Sequence, residues 1–291
     1  MTDILSIESI CNSVMTISGV DKRNMALLAF LLHMILIAES KTMAATQDEI
    51  AKGNFLAHCP LFDGIANAIM ESLHGDNVDQ LGIRTGITVR LAASLQRMIY
   101  EFPNKALGIQ AIRAFTGVVF RQLHPDDYDE CQTRYLDQNV RIISSLYGWL
   151  RPSDIIKPYR FDFKSKVAPG GISLMKYWTK DVTIALIKDL QERGDREIID
   201  LLPADASKCI DWKLVKRFAK VYKVDFKMQT GADERRTPNS GRLKELRGRL
   251  LDLIIRRRLT TAAGIATLES PNFMPDPDGS RLPDTLSFLT A

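Results

Sequence analysis

Cysteine is scarce in this chain: Cys11, Cys59, Cys131 and Cys209 are spread over 291 positions. No two have the spacing of a zinc knuckle or a C-x-x-C redox pair, and no secretory signal accompanies them. Neither a disulfide framework nor a cysteine metal site is therefore expected. Histidine is equally sparse. His33, His58, His74 and His124 fall at no metal-ligand spacing, and neither an H-E-x-x-H helix nor a triad pattern is present. A glycine-rich phosphate cradle, an internal repeat and a low-complexity tract are lacking too, and the expectation is of no metal and no cofactor. The apolar run over residues 25–38 (MALLAFLLHMILIA) falls short of the ~20 residues a bilayer span needs. His33 interrupts it, and Glu39 and Lys41 close it. A helix running into a buried strand fits better than a signal anchor, so no membrane partner and a reducing cytoplasm are expected.

What the chain does have is ordinary for a globular protein: 45% hydrophobic residues, 25% charged, and a formal net charge of +4. There is ample length to bury a core. The mild basic bias is compatible with polyanionic partners without requiring them.

Along the chain, helical spacing over residues 4–15 and 21–32 predicts two helices, followed by a buried strand at 34–38 and a polar turn at 39–42. Residues 50–73 read as helical with breaks at Gly53, Pro60 and Gly64, and 89–100 as a helix. Residues 111–120 look like a strand centred on Gly117. Pro125, Asp126 and Asp127 suit the start of a helix to 137, where capping explains the His124–Asp127 sequence better than cation binding. Strands are expected at 141–145, 160–167, 197–202, 218–228 and 286–288. Helices are expected at 174–193, ended by Gly194, and at 242–259; a loop is expected at 231–241, and the tail from 270 reads as surface loop. Alternation of strands and helices argues for a mixed α/β (α+β) fold.

Residues 146–160 concentrate the most unusual chemistry: Tyr147, Gly148, Trp149, Arg151, Pro152, Asp154, Pro158, Tyr159 and Arg160. Arginines beside aromatics, stiffened by prolines, suit a preorganised anion-binding or base-stacking surface. The alternative is a local Arg151–Asp154 pair with the aromatics in the core. After the first strand, Lys41 and Thr42 occupy a position where α/β folds bind ligands. On the helix at 242–259, Leu243, Leu246, Leu250, Leu253 and Ile254 share one face, while Lys244, Arg247, Arg249 and residues 256–258 project mainly elsewhere. Arg247 precedes Gly248, whose missing side chain lets another backbone or a ligand come close.

The string Ser145-Leu-Tyr-Gly-Trp-Leu-Arg-Pro152, followed by Asp154 and Lys157-Pro-Tyr-Arg160, closely resembles the signature of the YaaA-type peroxide-stress protein family. Phe115–Phe120, Leu174 with Tyr177 and Trp178, Lys244 with Arg247 and Gly248, and Arg258–Thr260 resemble further family segments in the same order. The resemblance runs from about residue 34 to the end and implies one domain over 34–291, a mixed sheet with surrounding helices, with 1–33 as an appended helical extension. Two segments depart from the family pattern. The turn Ala38-Glu-Ser-Lys-Thr-Met43 lacks the family's proline, and Asp200-Leu-Leu-Pro203 replaces Asn-Leu-Ala-Ser. The resemblance implies a peroxide-stress response protein that binds double-stranded DNA and limits iron-driven damage. The DNA contact would fall on a helix-hairpin-helix-like element at 81–86, with Arg84, Arg90 and Arg97 as the basic residues. It also favours a pocket formed by Lys41, Thr42, Tyr147, Gly148, Arg151, Asp154, Tyr159, Arg160, Asp200, Lys244 and Arg247. The competing reading is a divergent enzyme of the family acting on an anionic small molecule such as a nucleotide or amino acid.

Overall fold

The computed structural model describes residues 33–44, 57–104, 108–230, 234–279 and 283–290. The helices expected at 4–15 and 21–32 lie outside them. The first strand, β1 (His33–Ala38, HMILIA), is buried at every position. A continuous apolar run of this kind suits a strand covered on both faces, and β1 is indeed the parallel neighbour of both β3 (Val140–Ser144) and β6 (Glu197–Asp200). In register, Ile35 sits between Val140 and Ile199. The sheet continues through β7 (Lys220–Gln229), parallel to β6, and β10 (Thr285–Thr290), parallel to β7. Antiparallel strands finish it: β4 (Gly148–Leu150) beside β3, β9 (Met274–Pro275) beside β10, and β8 (Arg235–Arg236) beside the end of β7. A separate ribbon pairs β2 (Ile109–Gln110) with β5 (Ile155–Ile156).

Helices flank this mostly parallel sheet in one domain, and the mixed α/β expectation holds. In chain order they are α1 (Asp63–Glu71), α2 (Val78–Thr85), α3 (Val89–Glu101), α4 (Ala111–Ala114), α5 (Glu130–Asn139), α6 (Leu174–Arg193), α7 (Ala204–Ser207), α8 (Trp212–Val215), α9 (Ser240–Arg257) and α10 (Ala262–Ala266). α6 has the expected bounds. The Ser173 hydroxyl caps its start and Gly194, in the left-handed region, ends it. α9 begins after the Asn239 cap, two residues earlier than periodicity predicts.

Four local expectations change. Residues 111–120 form the short α4 and an irregular segment rather than a strand. Ala111, Ile112, Ala114 and Phe115 are all buried, and such a short apolar run carries no period to separate helix from strand. The helix expected from Pro125 begins at Glu130, because Asp129 and Gln132 form a reciprocal capping box there. Residues 160–167 form no strand. The Asp162 carboxylate accepts from the backbone N–H groups of Lys164 and Ser165 and turns the chain. The tail is more than surface loop: Phe273 is buried against Phe226 and Phe288.

Candidate functional site

From the carboxyl end of β1 the chain crosses to β3 on one side, and from that of its neighbour β6 to β7 on the other, so the connections diverge between these two strands. Open α/β sheets place ligands at such a switch point. Here the crevice is a cavity of about 490 Å³. Residues 37–42 and Leu201 with Pro203 form its wall at the strand ends, residues 117–120 and 162–164 close the sides, and α9 contributes Lys244 and Arg247. Two glycines permit this closure. A Cβ on Gly117 would lie 2.2 Å from Ser40 Oγ, and one on Gly248 would lie 2.4 Å from the Val119 carbonyl oxygen. The turn itself is held by Ser40, whose Oγ accepts from the Thr42 N–H at 3.1 Å and donates to the Thr42 carbonyl at 2.9 Å.

Glu39 is the most perturbed acid of the cavity. Burial pushes its carboxyl up to about 7, against opposing hydrogen bonds from Ser145, Tyr159 and Ser144. The Ser145 N–H donates to Oε2 at 2.7 Å, and the Tyr159 hydroxyl donates to the same oxygen. That hydroxyl is 2.7 Å from Ser144 Oγ, which accepts from the Tyr147 N–H at 3.0 Å. With Tyr159 donating to Glu39, the chain runs in one direction: Tyr147 N–H to Ser144, Ser144 hydroxyl to Tyr159, Tyr159 hydroxyl to Glu39. Burial and the neighbouring carboxylate raise Tyr159 well above the usual phenol range, so its proton stays in place. One oxygen of Glu39 is thus fixed by Ser145 and Tyr159.

The cations of the cavity fall into two kinds. Lys41 pairs with Asp162 at 2.8 Å and Lys164 with Asp205 at 3.1 Å. Arg247 makes no hydrogen bond or ion pair among the described residues, although its Nε is buried. Burial lowers its pKa, and Asp200 and Asp225 offset this only as attracting charges at a distance. Asp200 in turn accepts from the Leu202 N–H at 2.9 Å, and burial raises its carboxyl. Lys244 stands exposed on the same helix.

The residues singled out from sequence separate into three groups. Lys41, Thr42, Lys244 and Arg247 line this cavity, and Asp200 is the strand residue just before its wall at Leu201. Tyr159 and Arg160 line a second cavity of about 370 Å³, which shares Lys41 and Thr42 with the first. The Arg160 guanidinium donates to the Lys41 carbonyl. The third group is built into the packing. Tyr147 is buried, with its hydroxyl accepting from the Lys157 N–H at 3.0 Å. Gly148 has φ +67°, and a Cβ there would meet the Trp178 ring at 2.7 Å. Asp154 accepts from the Arg151 N–H at 2.8 Å, and burial lifts its carboxyl to about 6. The Arg151 side chain points to solvent and lines neither cavity.

On the far side of the second cavity, α2 and α3 are joined by residues 86–88, with Gly86 left-handed at φ 70°. Arg84 is ion-paired with Asp76, whereas Arg90 and Arg97 are exposed on α3. Sequence reasoning missed Glu39, Ser144, Asp162, Lys164 and Asp205. A carboxylate placed immediately after an all-apolar strand was the available signal for Glu39.

A mostly parallel α/β sheet with a charged cavity at its switch point defines the class as an α/β protein with a ligand-binding crevice. The family model described as "Peroxide stress protein YaaA" matches residues 34–278, and the chain belongs to that family. Among curated relatives, a UPF0246 protein of Parabacteroides distasonis is 32% identical over 197 residues, covering 67% of this chain and 76% of the relative. One from Phocaeicola vulgatus is 30% identical over 200 residues, with 68% and 76% covered. Another, from Finegoldia magna, is 29% identical over 206 residues at the same coverage. No helix among the described residues is long and apolar enough to cross a membrane.

Proposed function

We propose that this member of the peroxide-stress family works through the cavity at the carboxyl end of β1. There it binds an anionic small molecule carrying a phosphate or carboxylate beside an apolar body, and exchanges a proton with it through Glu39. The observation that carries the reading is the pairing, in one cavity, of an unpaired and partly buried guanidinium with a carboxyl held near neutrality. A guanidinium partly withdrawn from water with no carboxylate in hydrogen-bond reach among the described residues is costly, and an incoming anion supplies the missing partner. A carboxyl that burial pushes up to about 7 suits general acid–base work. Val118, Val119, Phe120 and Phe163 supply the apolar wall. Titration calorimetry with thymidine 5′-monophosphate and with inorganic phosphate tests the proposal. Binding that disappears in Arg247→Ala supports it, and the absence of binding to wild type sinks it.

A second reading is duplex-DNA binding through α2 and α3, as part of protection against peroxide that limits free iron. The exposed Arg90 and Arg97 favour the DNA half of it. Affinity for a short duplex should then fall steeply with salt, and Arg90→Ala/Arg97→Ala should flatten that slope. A duplex that fails to bind at low salt counts against it.

A further inference from the structure

The second cavity repeats the chemistry of the first. Leu91, Met98 and Pro158 form an apolar wall, and Arg97 and Arg160 face it with no carboxylate partner among the described residues. Among the described residues, Arg160 donates only to the Lys41 carbonyl and Arg97 makes no hydrogen bond or ion pair. Glu101 also lines this lobe, on the same helix as Arg97. The two lobes meet at one turn: Lys41 and Thr42 belong to both walls. Tyr159 connects them as well, since its ring lines the second lobe while its hydroxyl holds Glu39 of the first.

We infer that the two lobes form one bipartite site for a dinucleotide, with a nucleotide unit in each lobe and the linking backbone laid across the Lys41–Thr42 turn. The inference rests on the preceding proposal that the first lobe binds an anion with an apolar body. Each lobe offers what one nucleotide unit needs, an apolar surface for the base and a free guanidinium for a phosphate. Lys41 lies at the junction. Its pairing with Asp162 leaves the ammonium exposed on one side, with 64% of the side chain accessible, so a bridging phosphate can share it. Two linked units gain affinity over one because the second binds intramolecularly.

The test compares thymidine 5′-monophosphate with the dinucleotide pTpT by titration calorimetry on the full chain. The dinucleotide should bind at least about tenfold tighter, the gain expected from one added charge-assisted contact. Arg97→Ala removes an exposed side chain without hydrogen bonds, so folding is not at risk. It should bring pTpT back toward the mononucleotide affinity while leaving the mononucleotide unchanged, and Arg160→Ala should do the same. Arg247→Ala should weaken both ligands. Equal affinities for the two ligands, or an Arg97→Ala effect of the same size on both, would overturn the bipartite site and leave the first lobe standing. If neither ligand binds wild type, both proposals fall together.

Discussion

The two ends of the parallel sheet treat charge in opposite ways. At the amino ends of β3 and β6, Arg141 pairs with Asp189 at 2.7 Å and also donates to three backbone carbonyls. Beside it Arg193 pairs with Asp195 at 3.0 Å and reaches Asn139. Both arginines of this cluster have an anionic partner, and none of the four side chains is more than 16% exposed. At the carboxyl ends, Arg247 has no hydrogen-bond or ion-pair partner among the described residues, burial pushes the Glu39 carboxyl up to about 7, and the groups open onto a cavity. Both ends bury charge: at the first, each arginine has an ion-pair partner although Arg193 Nη1 and the Asp195 oxygens make no hydrogen bond, whereas Arg247 has no ion-pair partner among the described residues. Paired charge marks scaffold here, and unpaired charge marks the site.

That contrast is sharpest under mutation. Arg141→Ala strands Asp189 in the closed cluster and should cost about 3–5 kcal/mol in denaturant unfolding, with no specific effect on ligand affinity. A loss below about 1 kcal/mol would erase the distinction between the two ends. Gly148→Ala probes the scaffold of the signature segment. Its Cβ would press on Trp178 at 2.7 Å in a left-handed backbone, costing about 3 kcal/mol by the same measurement. An unchanged unfolding midpoint would refute that packing role.

Glu39→Gln tests the open end through pH. The folded-state pKa, about 7, lies above the ordinary glutamate value of 4.5, so this group's contribution to stability is complete below 4.5 and is lost as pH rises through 7. Glutamine keeps the carbonyl acceptor and never ionises. The variant should match wild type near pH 5 and exceed it at pH 8 by up to about 3 kcal/mol. Parallel pH profiles for the two proteins would show that Glu39 is not held neutral by burial. Tyr159→Phe should have the smallest effect, about 1 kcal/mol for the lost hydroxyl, and should move the Glu39 titration further upward because a hydrogen bond to the carboxylate is gone. NMR titration of the labelled glutamate side chain reads that shift, and a downward movement would contradict the assigned hydrogen bond.

Much of the scaffold was legible in the sequence. The all-apolar β1, the Ser173 and Gly194 boundaries of α6, and the leucine face of α9 follow from periodicity and capping alone. Lys41, Thr42, Lys244 and Arg247, singled out with the help of the family resemblance, all line the cavity at the carboxyl end of β1. Residues 146–152 show where such reading stops. Their aromatics and arginine looked equally suited to a ligand surface or to a core. The structure places Tyr147, Gly148 and Trp149 in the packing and Arg151 in solvent. Glu39 was hidden for the opposite reason. A lone glutamate at a strand end is unremarkable until β3 and Tyr159 enclose it, which depends on contacts more than 100 positions away in the chain. The same holds for α4, whose form is set by packing rather than by local pattern.

The central claim, that unpaired charge at the carboxyl ends awaits an anion, is tested most directly by thermal unfolding of wild type and Arg247→Ala with and without thymidine 5′-monophosphate. The account predicts equal or higher stability of the unliganded variant, within about 0.5 kcal/mol if the guanidinium is neutral to folding. It also predicts a ligand-induced rise in Tm for wild type that vanishes in the variant. A variant that is strongly destabilised without ligand, or one that keeps the full ligand-induced rise, would contradict it.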